Sequence, residues 1–159
     1  MKIDQVVTNF IERLTVAGVA CQRVTAAPWI AEFEAKLPRR LPPSFSSLVS
    51  RYCFPSFEFA EIEFFANLNG QSEDELVVAA FRDKHLWRPA LTQGFIQIGK
   101  PSSGSYDPIC FDMRHPWRGQ EYRVVRLDHE ELLQRERVRI VEEVAESFLT
   151  LITTEEKTG

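Results

Sequence analysis

Gly99 and Gly104 stand at the first spacing of a phosphate-binding loop. Such a loop needs Lys and Ser/Thr next, then a helix whose first amides face the phosphate. Here Ser105-Tyr106 and a strand-like run follow, so the segment reads as a hairpin loop. His85, His115 and His129 lie far apart, and none belongs to a His-x-x-x-His or His-Glu-x-x-His pattern. No zinc site is expected from them, because such a site needs ligands at a spacing that brings them to one helix face. Ser102, Ser103 and Ser105 lack the Gly-x-Ser-x-Gly elbow that exposes a nucleophile. Asp107 and Asp112 could in principle work as general acid and base. Their separation of five puts them on opposite faces of an unbroken strand, so they read as turn and edge carboxylates. No catalytic residue, metal or cofactor is therefore expected. A small hydrolase would need Asp107, Asp112 and His115 to converge in one cleft.

The segment His115-Pro116-Trp117-Arg118-Gly119 invites a different chemistry. It reads as a loop tip bearing Trp and Arg, two types enriched where proteins bind proteins. Tyr106 and Asp107 are placed at the adjoining strand entrance. The candidate partner-binding residues are thus Tyr106, Asp107, Trp117 and Arg118. A loop Trp can equally fold back over a sheet edge, and both readings stay open. Trp87-Arg88 divides the same way, tilted towards packing.

The elements that position these residues follow from apolar spacing. Ile3, Val6, Val7, Phe10, Ile11 and Leu14 mark a helix that Gly18 stops. A second helix begins near Pro28, and Pro38–Pro43 breaks the pattern. A short helix follows from Pro43, carrying Phe45, Leu48, Val49 and Tyr52 inward. Phe57 and Phe59 alternate with Glu58, and Ile62 and Phe64 with Glu61 and Glu63, giving a hairpin or one bent strand. Ser72 and Glu75 have capping-box spacing for a helix that buries Leu76, Val77, Ala80 and Phe81, closed by Asp83-Lys84-His85. Trp87-Arg88-Pro89 then leads through an irregular or short helical connection. From Gly94 to Asp128, three runs rich in Ile, Val, Phe and Tyr are parted by Gly/Ser/Pro/Arg loops, the pattern of neighbouring antiparallel strands. A last helix is expected from Asp128, burying Leu132, Leu133, Val138, Val141, Ala145, Phe148, Leu149 and Ile152, with a break near Arg135–Arg137. The tail 153–159 is polar.

The expected fold is α+β: one domain over 1–159, a mainly antiparallel curved sheet packed with N-terminal and C-terminal helices. A chain of 159 residues suits one domain and buries roughly 70% of its unfolded surface. The net charge is −4 and no Lys/Arg run appears, so nucleic acid is not an expected partner. Mild acidity fits solubility and steering towards a basic protein. Cys21, Cys53 and Cys110 are scattered, as expected of free thiols in a reducing compartment. The N-terminal run carries charges where a signal peptide needs an apolar core, and no apolar stretch approaches membrane-spanning length. A cytoplasmic location is the expectation.

Taken in order, the motifs resemble the SUKH superfamily of the SMI/KNR type. Glu32 and Glu34 precede Leu41-Pro42, and Phe45-Ser-Ser-Leu48 and Asn69-Gly70 follow. Phe95-Ile-Gln-Ile-Gly99 is similar to the family's aliphatic strand ending in Gly. Tyr106-Asp-Pro-Ile-Cys-Phe-Asp112 is similar to its aromatic–acidic strand. Val124-Val-Arg-Leu-Asp-His-Glu130 resembles the strand entering the last helix, and Ala145-x-x-Phe148-Leu149 the closing helix. The segment Ser72–Pro89 and the Ser-Ser-Gly-Ser loop depart from the family's pattern. The resemblance covers Trp29 to Ile152 and implies a non-enzymatic binding domain. Bacterial members are mostly immunity proteins that neutralise toxins; fungal members regulate cell-wall assembly. It therefore implies an immunity protein with a toxin as partner, or alternatively a scaffold for an endogenous protein.

Overall fold

The computed structural model describes residues 2–68, 72–116 and 118–154. Trp117 and the Asn69-Gly70 step lie outside them, as does the tail beyond Thr154. Helix α1 (Ile3–Val16) buries Val6, Val7, Phe10, Ile11 and Leu14 along one stripe. It ends at Gly18, whose φ of 96° is left-handed, and the Val19 N–H returns to the Leu14 carbonyl at 2.9 Å. That geometry satisfies a helix-end carbonyl at little cost only in glycine.

Then come β1 (Gln22–Arg23), α2 (Trp29–Glu34), α3 (Pro43–Arg51) and β2 (Tyr52–Cys53). β1 and β2 pair as a small antiparallel ribbon. Helix α3 has no side-chain cap at Pro42. Its first turn is capped from far away, because the buried Glu121 carboxylate accepts from the Ser44 N–H at 3.0 Å and the Ser44 hydroxyl at 2.5 Å. A carboxylate there is favoured by the free amides and by the helix dipole.

The main sheet contains β3 (Phe57–Phe59), β4 (Ile62–Phe64), β5 (Phe95–Pro101), β6 (Ile109–Asp112), β7 (Arg123–Leu127) and β8 (Ile140–Ala145), in that spatial order and antiparallel throughout. One face is covered by α1, α3 and α7 (Phe148–Thr153). The other is covered in part by α5 (Lys84–Thr92) and α6 (His129–Arg135). Strand alternation sends Ile109, Phe111 and Val124 to the first face and Cys110, Val125 and Leu127 to the second. Phe148 is fully buried at the centre of the first, edge-on to Phe10, Phe45, Phe64 and Phe111 at 5.2–6.4 Å. The α+β architecture, the single domain and the 57–64 hairpin are as the sequence suggests. No helix among the described residues is long and apolar enough to cross a membrane.

Three local expectations are corrected. The long last helix is instead α6, then β8, then α7. Glu136 turns left-handed at φ 52° and ends α6, and the chain then pairs with β7. Val138 and Ile140, alternating with Arg137 and Arg139, pack on the second face, so an open strand edge wins over helical spacing. Ser72 is not a cap either: its hydroxyl binds Asp74 at 2.5 Å, and Glu75 accepts from the Leu68 N–H at 3.1 Å. The helix it was expected to open, α4 (Leu76–Ala79), is one turn long. Asp83 opens α5 rather than closing a helix, accepting from the His85 N–H at 2.9 Å, and Trp87-Arg88-Pro89 lie inside α5.

Candidate functional site

The loop 102–108 joins β5 to β6 and leaves the sheet beside the N-terminus of α6. It begins as a tight turn: the Gly104 N–H bonds the Pro101 carbonyl at 3.3 Å, with Gly104 at φ 90°. The Ser102 N–H bonds the Glu61 carbonyl in the β3–β4 turn at 3.0 Å. At its far end the Ser105 hydroxyl accepts from the Asp107 N–H at 3.2 Å.

Asp107 clamps the loop down. It is only 7% exposed. Its Oδ2 accepts from Arg126 Nε at 2.7 Å, and its Oδ1 takes both the His129 N–H at 3.0 Å and His129 Nδ1 at 2.5 Å. Burial alone would push this carboxyl up. The His129 side-chain and backbone bonds and the Arg126 guanidinium outweigh it and hold Asp107 below the ordinary carboxylate range. Both oxygens are thus committed to internal donors. Asp107, Asp128 and His129 bring three potential ligand atoms within 4.8 Å. A cation there would compete with Arg126 on Asp107 and with Arg139 on Asp128, which is 3.0 Å away, and with the α6 amides that Asp128 caps. The cluster is an internal ion-pair network.

Tyr106 is the outward product of this clamp. It is 80% exposed, and its ring sits edge-on to His129 at 5.9 Å. An aromatic ring held on an anchored loop loses little conformational freedom on binding, which is what an interface anchor needs.

The loop is a ridge between two grooves. One, of about 550 Å³, has Ile62, Val144 and Leu151 among its walls and Glu61, Glu142 and Glu143 on its rim. The other, of about 480 Å³, runs along the part of the second sheet face that α5 leaves open, between Tyr106, Trp87 and Phe65. Its lining carries Glu63, Glu73, Asp74 and Asp83 against Arg82 and Lys100. Arg82 lies 3.4 Å from Glu73 and Lys100 lies 3.9 Å from Glu63, so two carboxylates are left over. The Ser72 hydroxyl holds the Asp74 carboxyl below its usual range, keeping it charged. Both grooves are acidic.

Of the four residues singled out from the sequence, Tyr106 and Asp107 are brought together, one as the presented ring and one as its anchor. The short 3-10 turn Arg118–Gln120 follows the opposite end of β6, so Arg118 does not share an end of the sheet with Tyr106 and Asp107, and Trp117 lies outside the described residues. At that far end Asp112 is bridged by Arg114 and Arg123. Its Oδ1 accepts from Arg114 Nε at 2.9 Å and its Oδ2 from Arg123 Nη2 at 2.6 Å. Asp107 and Asp112 therefore stand apart, each spent on its own arginines. Sequence reading missed Arg126 and His129 as partners of Asp107. One signal was present: a lone Arg within Val124-Val125-Arg126-Leu127 needs a carboxylate if it is to be sheltered in a strand. No family model matches the chain, and no curated protein matches it.

Proposed function

We propose that this chain is a non-enzymatic protein-binding domain, an immunity protein of the SUKH type that neutralises a bacterial toxin by covering it. The observation that carries the reading is the Tyr106 ridge: an 80% exposed ring on a loop pinned by the part-buried Asp107–Arg126 ion pair and the Asp107–His129 bonds, with an acidic groove on either side. A pinned aromatic supplies a desolvatable anchor. The flanking carboxylates, with the net charge of −4, favour encounter with a basic surface and discriminate against acidic ones. Neutralisation then needs only that the basic surface be the toxin's working face. The commitment of both Asp107 oxygens to Arg126 and His129 supports a positioning role for that carboxylate rather than proton transfer to a substrate.

Co-purification from the native host, followed by mass spectrometry, tests this. The expected result is a basic, toxin-like protein whose affinity falls about 30-fold or more on Tyr106→Ala, the loss of roughly 2 kcal/mol typical of an anchor residue. Recovery of no protein partner overturns the reading. Recovery of an endogenous, non-toxic partner through the same ridge replaces immunity with scaffolding.

A further inference from the structure

We infer that the outer edge of β8 is a docking strand for an extended, lysine- or arginine-rich segment of a partner protein, added antiparallel to the sheet. The inference rests on the protein-binding reading but on a different surface from Tyr106. β8 is last in the six-stranded order, so its outer backbone groups face away from the ladder it forms with β7. An edge strand of six residues is long enough to template another strand, and most proteins blunt such edges. Here the blunting has one sign. Residues 141–143 are all exposed, as is Glu146, and they present Val141-Glu142-Glu143 with Val141 at 46% exposure.

The charges are largely uncompensated. Arg126 lies opposite Glu142 in the register but is spent on Asp107. Arg123 reaches Glu143 at 3.6 Å while bonding Asp112 at 2.6 Å. Among the described residues Glu61 and Glu142 make no ion pair. The 550 Å³ groove lies directly beside this edge, with apolar Ile62, Val144 and Leu151 inside it and Glu61, Glu142 and Glu143 around it. Glu142 and Glu143 are neighbours and point to opposite sheet faces, so a strand whose cations meet Glu143 on the second face turns its short aliphatic side chains towards Ile62, Val144 and Leu151, which belong to the core of the first. Opposite charges directly across a strand pair are stabilising, and like charges are not. A second copy of this chain is disfavoured for the same reason. Antiparallel pairing of two β8 edges about their centre would set Glu142 against Glu143 twice.

The test uses the full chain and a capped peptide of β8's length alternating lysine and valine, with the glutamate–valine peptide as control. Amide hydrogen exchange is read residue by residue by NMR. Saturating lysine peptide is expected to slow β8 amides by about tenfold, since binding protects by mass action. The glutamate peptide should leave them unchanged. The double variant Glu142→Lys/Glu143→Lys should weaken the lysine peptide by about tenfold, and Glu142→Gln/Glu143→Gln by less, each with the thermal midpoint measured to confirm folding. No protection of β8, protection by both peptides alike, or unchanged affinity on charge reversal overturns the inference. The peptide carries nothing for Tyr106 to grip, so its failure leaves the ridge reading standing. Loss of the partner on Tyr106→Ala is a separate result.

Discussion

His129 meets the Asp107 carboxylate twice, through its backbone N–H at 3.0 Å and its ring Nδ1 at 2.5 Å, on the same oxygen. The first residue of α6 is thereby bolted to Asp107, in the loop between β5 and β6 and 22 positions earlier in the chain. Arg126, in β7, closes the other oxygen. Loop, strand and helix form one stiff unit, and Tyr106 is its exposed tip.

Removing the bolt should loosen the tip. Asp107→Ala leaves a part-buried guanidinium and a helix N–H without their acceptor, a loss of about 2–3 kcal/mol. For a chain of this size each kcal/mol lowers the melting temperature by about 2–4 °C. Amide exchange in 102–108 should accelerate more than in β3 or α1, and partner affinity should fall even though Tyr106 is intact. Unchanged exchange in the loop would show that the clamp does not hold it.

Acid should act through Asp112. Burial would raise this carboxyl, but bonds from Arg114 and Arg123 prevail and bring it down to about 2. A carboxyl depressed in the folded state contributes stability that is complete above its unfolded value of about 4 and lost as pH falls through about 2. The contribution is about 1–2 kcal/mol, discounted because Arg114 and Arg123 are partly exposed. Asp107 titrates in the same direction. Urea midpoints measured across this range should fall with acid, and Asp112→Asn should be less stable at neutral pH with a flatter acid limb. An unchanged slope would rule Asp112 out as its source.

The β3–β4 hairpin invites a gain. Its two turn residues, Ala60 and Glu61, both sit at positive φ, 53° and 64°. Left-handed backbone costs a non-glycine residue about 1–2 kcal/mol, and a two-residue hairpin turn of this hand prefers Asn-Gly. Both side chains are exposed, so nothing packed is lost. Ala60→Asn with Glu61→Gly should stabilise by about 1–2 kcal/mol, raising the melting temperature by several degrees. A fall would mean that the Glu61 side chain contributes to the neighbouring groove more than its exposure suggests.

Much of the framework is written in local pattern. The α1 stripe, the glycine that ends it, the 57–64 alternation and the three apolar runs from Gly94 to Asp128 each follow from the period at which side chains return to one face. The charged alternation of Arg137–Ile140 was equally visible, yet Val138, Val141, Ala145 and Phe148 also suit a helix. Only the free edge of β7 turned that stretch into β8, because pairing satisfies backbone groups whose partners are supplied by residues distant in sequence. The same holds for the site. Tyr106 and Asp107 are adjacent by covalent structure, whereas the arrival of Arg126 and His129, the Glu121 cap on Ser44, and the separation of Asp107 from Asp112 are decided by packing. Side-chain type determines what a residue can bond, and the fold alone determines which groups are near enough to be bonded.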